Sequence, residues 1–396
     1  MKTGNKRIWL NIRISEYKKA AGRSIGFQRD NAIMILIERD YFLRDSFRQF
    51  NTRTDLDLRK DLKIYFINEC SQDAGGLIRE WFTILTEEFF SSKLGLFVRT
   101  QTPQVAYTIN INSDKHCEQH LNYFYFIGQI LAKALFENIA IKAYLCRPLF
   151  KLLTNTQLKI EDLKYIDIEL WKSVDFLIKN KVECELGNFT LTQKDPIDGK
   201  VNVVELKEGG KKIAITEENK NEFINLLWKY YLFDSVQSQC DKFIKGFFSL
   251  LHEEIIQALD GDELELFLCG DQKISLEDWK KHTKYKKPYN QQHQVILWFW
   301  EVLAQLTNAE LERFLQFCTG SNKVPAEGFS GLTSNNGKKC QFVIEPKRSR
   351  HNGTDFIIAH TCFNKIELPM YGSMKKMKEA IKAIINSPAC YKFSLE

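Results

Sequence analysis

Phe124, Ile127, Leu131 and Leu135 recur at i, i+3, i+7 and i+11. That spacing lines one face of a helix, so the chain must bury an apolar helical stripe against other elements. The stripe reads as core packing, not as a cofactor box. Tyr41 to Phe50, Leu77 to Phe90, Ile168 to Ile178, Phe223 to Leu251 and Val295 to Leu306 also carry helical spacing. Asn31 to Glu38 is an apolar run ending in charges. Phe189 to Leu206 alternates and is interrupted by Asp195-Pro196 and Asp198-Gly199, the pattern of a hairpin. The chain therefore reads as mostly helix with short strands.

With 396 residues it can bury a sizeable core and is expected to split into two or more domains. An apolar share of 44%, with 29 Phe, favours packed structure over disorder. A net charge of +6 is mild at this length, and no dense basic run accompanies a nucleic-acid motif. Ten cysteines lie scattered without CxxC pairs, which argues against a zinc ribbon or redox dithiol and for reduced, buried thiols. No stretch approaches the length of a membrane span. Residues 1–23 are basic, with Ile8, Leu10, Ile12 and Ile14 alternating, and lack the apolar core of a secretory signal. They read as an extra strand, a helix or a leader, with a transit peptide as the alternative. A polar break at Lys286-Lys287-Pro288-Tyr289-Asn290-Gln291 interrupts any helix.

The strongest chemical signal is His360-Thr361-Cys362-Phe363-Asn364, followed by Leu368-Pro369 and Tyr371. A thiolate is the strong nucleophile, and polar neighbours that accept protons or stabilise the anion raise its supply. The same residues also fit a half-buried structural cysteine beside a turn. Other constellations are weaker. His116-Cys117 with His120 lacks a completing pair for a metal, and Asp260-Gly261-Asp262-Glu263 lacks calcium-loop spacing and reads as a turn capping the next helix. No metal site and no cofactor are expected.

The stretch from Ala359 to Tyr371 closely resembles the catalytic loop of HECT ubiquitin ligases. Gly75-Gly76 with Arg79-Glu80-Trp81-Phe82, Phe126-Ile127-Gly128, Gly246-Phe247-Phe248, Trp298-Phe299-Trp300 and Leu315-Gln316-Phe317 resemble further blocks of that family, in family order, from about Asn31 onward. The likeness is to the Nedd-type branch. It implies an α+β, bilobal fold: a leader over 1–29, a large, mainly helical N-terminal lobe over 30–286 with a conjugating-enzyme-binding subdomain near 160–245, a hinge at 287–291, and a small α/β catalytic lobe over 292–396. That lobe would hold strands near Gln341–Glu345 and Phe356–His360 and a last helix over Ser373–Asn386.

The resemblance also implies the chemistry. Cys362 would take ubiquitin from a ubiquitin-conjugating enzyme as a thioester and pass it to a substrate lysine. His360 would shape or polarise the site, or act as general base. Thr361 would offer a donor to the oxyanion, and Asn364 would form a turn. Phe393 matches a phenylalanine that supports lysine modification in the Nedd-type branch. Leu170, Ser173, Val174 and Phe223 match the groove for the conjugating enzyme. Tyr107 and Asn112 match a noncovalent ubiquitin site, where Leu232 replaces a phenylalanine. Partners would be ubiquitin, the conjugating enzyme and protein substrates, in the cytoplasm or the nucleus. A cysteine hydrolase and a silent ubiquitin-binding scaffold are the competing classes.

Overall fold

A computed structural model describes residues 6, 9–16, 32–69, 76–102, 106–183, 186–195, 197–270, 274–321, 324–325, 328–332, 339–347 and 356–386, with the backbone alone at Cys362. Residues 9–16 are helical, and Leu10 and Ile14 are buried while Ile12 is exposed. The i, i+4 spacing wins there over the apparent alternation.

Strands β1 (Ala32–Ile37) and β2 (Asp61–Phe66) pair in parallel, flanking helix α1 (Phe42–Asn51) in sequence. Their period-two pattern buries Ile33, Ile35 and Ile37 beside Leu62, Ile64 and Phe66. Helix α2 (Gly76–Phe89) follows, with the Trp81 indole N–H donating to Ser46 Oγ at 2.9 Å. Strands β3 (Phe97–Arg99) and β4 (Tyr107–Ile109) form an antiparallel pair. Helix α3 (His120–Glu137) carries the opening stripe, and all four of its residues are buried. Phe126, Ile130 and Ala134 are buried too, so α3 is enclosed on more than one face. Helix α4 (Ile168–Lys179) precedes the hairpin of β5 (Thr190–Lys194) and β6 (Val201–Glu205).

The span expected as one helix from Phe223 to Leu251 is two: α5 (Lys220–Leu232) and α6 (Gln237–Leu250). The helix stops where Phe233 leaves helical geometry (φ −143°, ψ −57°), and a tight turn over Asp234–Val236 starts the next. Asp and Ser at 234 and 235 favour such turns over helix interiors. Helices α3 and α6 cross with their backbones nearly touching. A Cβ at Gly128 would strike the Phe243 carbonyl, and one at Gly246 the Tyr125 carbonyl. This explains glycine inside two helices, where it otherwise weakens them.

The C-terminal part holds α7 (Leu276–Lys281), β7 (Thr283–Tyr285), α8 (Gln294–Ala304), α9 (Asn308–Thr319), β8 (Phe342–Pro346), β9 (Ile358–His360), β10 (Lys365–Leu368) and α10 (Met374–Asn386). Four strands make one sheet in the order β7-β8-β10-β9, with only the β10–β9 pair antiparallel. One hydrophobic core underlies it, running from Ile274 to Ile385. Trp279 is fully buried at its centre, stacked on Phe329 with ring centroids 4.7 Å apart and edge-on to Phe342.

That core takes in Tyr289 of the expected hinge at 287–291. Tyr289 is 2% exposed within the core, and its hydroxyl donates to the Leu368 carbonyl at 2.8 Å. Lys286 N–H donates to the Ile344 carbonyl at 2.9 Å. Polar neighbours and Pro288 made the segment look free, but one aromatic anchors it, and the packed module begins by Ile274. The chain as a whole divides into two compact units, one drawn from residues 1–86, 133–142 and 266–396, the other from 87–132 and 143–265.

Candidate active site

Cys362 lies in the connection between two short antiparallel strands. β9 and β10 pair Lys365 with His360, Ile366 with Ala359 and Glu367 with Ile358. Only Thr361 to Asn364 joins them: a single 3-10 turn over Thr361–Phe363, then Asn364 in the left-handed region at φ 47°. Asparagine tolerates that conformation better than most side chains. Asn364 is fully buried, its Nδ2 donates to the Cys340 carbonyl at 2.9 Å, and its own carbonyl accepts from Val343 N–H at 2.9 Å. The turn is thus clamped to the approach of β8, while Phe363 beside the cysteine is 62% exposed. The expected turn-forming role of Asn364 holds.

One face of the sheet carries a charge ladder beside this turn. His360 Nε2 lies 2.8 Å from Glu367 Oε1, and Lys365 Nζ lies 2.8 Å from Glu345 Oε1. Glu345 and Glu367 stand directly opposite each other across β8 and β10, so each like charge is offset by a diagonal partner. The strand ends at His360, and the cysteine belongs to the turn. Thr361 is half-buried, and its hydroxyl faces Gly76 at the start of α2, where an added Cβ would sit 3.5 Å away. Arg79, one turn further along α2, donates to the Thr319 carbonyl. Two blocks distant in sequence therefore converge on the His-Thr-Cys-Phe-Asn turn.

A second feature lies in the other unit. The Asp167 carboxylate caps α4 by accepting from Glu169 N–H and Leu170 N–H. Behind it opens a cavity of about 500 Å³, whose walls include Asn112, Leu170, Ser173, Arg99, Lys194 and Tyr231. The Tyr231 hydroxyl donates to Asp167 Oδ2 at 3.2 Å, and burial together with that carboxylate pushes its pKa up.

A family model described as HECT-domain (ubiquitin-transferase) matches residues 83–395. This chain belongs to the HECT-domain family. Nedd-4 of Drosophila melanogaster is 35% identical over 400 residues, covering 96% of this chain and 39% of that protein. RSP5 of Saccharomyces cerevisiae is 32% identical over 380 residues, covering 94% of this chain and 46% of that protein. HUWE1 of Mus musculus is 33% identical over 355 residues, covering 89% and 8%. All three bear the name E3 ubiquitin-protein ligase. The chain spans less than half the length of each.

Within this HECT domain the expected site residues separate. His360, Thr361 and the Cys362 backbone form one turn. Phe393 and the Cys362 side chain lie outside the described residues. Leu170, Ser173 and Asn112 meet at one cavity, although Leu170 and Ser173 were expected to serve one partner and Asn112 another. Val174 and Phe223 are 1% and 8% exposed, and Phe223 packs edge-on against Phe189. The exposed apolar side chains of α4 are Phe176 and Ile178. Tyr107 is half-buried against the ring of Phe90, and Leu232 is buried. Sequence reading missed Glu367, which reaches His360 across the β9–β10 pairing. Among the described residues no cluster of three or more His, Cys, Asp or Glu is placed to hold a metal, and no helix is long and apolar enough to cross a membrane.

Proposed function

We propose that this chain is the catalytic part of a ubiquitin-protein ligase in which Cys362 carries ubiquitin between a conjugating enzyme and a lysine. The observation that carries the reading is the turn itself: a cysteine in a clamped but outward-lying link between strands, beside a carboxylate-held histidine, in a chain of this family. In the first step the Cys362 thiolate attacks the conjugating enzyme's thioester carbonyl. One carbon–sulfur bond replaces another, so the exchange is nearly isoenergetic and its rate depends on orientation. In the second, a lysine amine attacks the new thioester, loses a proton and expels the thiolate, a better leaving group than an amine. His360, held by Glu367, orients the turn or accepts that proton. Thr361 supplies a donor to the tetrahedral oxyanion. Phe393 supports the lysine step.

Partner surfaces follow the same reading. Leu170 and Ser173, with Phe176 added, contact the conjugating enzyme, while Val174 and Phe223 support them from beneath. Asn112 and Tyr107 contact a noncovalently bound ubiquitin. The two substrates of Cys362 cannot occupy one place, so the bilobal arrangement is retained with its pivot upstream of Ile274, and the module from there onward moves as a body. The acceptors are lysines of protein substrates, and the compartment is the cytoplasm, with the nucleus as the alternative.

The test is a gel of the chain charged with ubiquitin by a panel of conjugating enzymes. A reductant-labile adduct that disappears in Cys362→Ala, together with lysine-linked products, is expected. Free ubiquitin released without lysine products assigns the chain to the hydrolases. Ubiquitin binding with no adduct assigns it to the scaffolds.

A further inference from the structure

Cys340 takes no part in the transfer chemistry, yet it lies beside it. The parallel register of β8 and β10 starts at Val343 opposite Lys365, and Val343 N–H donating to the Asn364 carbonyl at 2.9 Å continues the contact backward. Cys340 lies two residues before β8, and its contacts run to Phe363 and Asn364, the residues that follow Cys362. Two bonds fasten Cys340 to the turn. Asn364 Nδ2 donates to the Cys340 carbonyl at 2.9 Å, and the Cys340 thiol donates to the Phe363 carbonyl at 3.2 Å. The carbonyl that the Cys340 thiol meets belongs to the residue next to Cys362, and a disulfide needs a Cα separation of roughly 4.4–6.8 Å. Cys340 is therefore held against the turn that carries Cys362. Cys146, Cys240, Cys269 and Cys318 are buried, whereas Cys117 and Cys340 are half-exposed and open to small oxidants, and of these two Cys340 is the one at the turn. Burial raises its pKa against the opposing charges of Arg79 and Lys284, so Cys340 rests as an unreactive thiol until its neighbour is oxidised.

We infer that Cys340 and Cys362 are a modification site for peroxides, closing to a reversible disulfide that blocks ubiquitin acceptance. The inference rests on the reading of Cys362 as the reactive thiolate. That thiolate attacks one peroxide oxygen: a sulfur–oxygen bond forms, the oxygen–oxygen bond breaks and hydroxide leaves, giving a sulfenic acid. Cys340 then attacks the oxidised sulfur. The sulfur–sulfur bond forms, the sulfur–oxygen bond breaks, and the departing hydroxide takes the Cys340 proton as water. A thiol reductant restores both thiols and is itself oxidised to a disulfide. Without Cys340 the sulfenic acid stays open to further peroxide, and the sulfinic acid so formed is not recovered by thiols.

The experiment treats the full chain with hydrogen peroxide and maps it by non-reducing tryptic mass spectrometry. Cys340–Lys347 and His351–Lys365 each contain a single cysteine. Their linked mass, two hydrogens below the sum and lost after dithiothreitol, is expected. Cys340→Ser keeps the carbonyl that Asn364 uses. It should charge with ubiquitin normally in reductant, yet fail to recover after peroxide and dithiothreitol, while the unsubstituted chain recovers. Absence of the linked peptide at peroxide doses that modify Cys362, or equal recovery of both chains, overturns the inference. The peptide map needs no ubiquitin, so it is read separately from the ligase assay.

Discussion

Asn364 couples shape to chemistry at the smallest scale. It supplies the one left-handed residue in the turn and ties that turn to Cys340 through a buried amide. Asn364→Ala removes the donor and forces a Cβ residue without a local hydrogen bond into φ 47°. The expected cost is about 1–3 kcal/mol, the range for a buried polar group left without its partner. Urea denaturation should read it directly, and ubiquitin charging of Cys362 should fall with it. Asn364→Gly permits the backbone angle but not the bond, so it should lie between the two. The cysteine and its flanking residues were legible from order alone. Glu367 and Cys340 were not, because one reaches His360 across a strand pairing and the other meets Asn364 from 24 positions away, contacts that no local pattern encodes.

At the scale of elements, the helices were the readable part. The stripe of α3 and the apolar run of α8 carry their period openly, and both fold where expected. The break at Phe233 stayed hidden because apolar spacing resumes on either side of it. Strand β7 spans three residues, too few to show alternation. How helices are fastened together was equally unreadable. Glu310 closes a capping box with Thr307 at the start of α9 and also accepts from Lys382 on α10. The Lys382 hydrogen bond, followed by the Thr307 N–H, holds its pKa down to about 2. A carboxylate depressed by folding stabilises above its unfolded pKa near ~4.3 and loses that contribution as pH falls through the folded value. Glu310→Gln should therefore be less stable than the parent at neutral pH. The gap should close between about pH 5 and pH 2, as measured by urea midpoints at each pH. A constant gap across that window would assign the effect to packing alone.

At the scale of the molecule, the lesson is where a module begins. Proline and lysines made 287–291 look like a joint, yet Tyr289 is sewn to Leu368, 79 positions later. Tyr289→Ala should cost about 3–5 kcal/mol, as for a buried aromatic, whereas Tyr289→Phe should lose only the ~1 kcal/mol of one hydrogen bond. Thermal melts of the two variants separate a core residue from a joint, at which both changes would be silent. The order β7-β8-β10-β9 also sets a sequence of events in time. A chain leaving the ribosome exposes β9 and the thiol before β10 has emerged, and in this sheet β9 has no neighbour except β10. The cysteine is thus synthesised into an unformed setting. The turn that holds it is complete only after the following residues have paired as an interior strand.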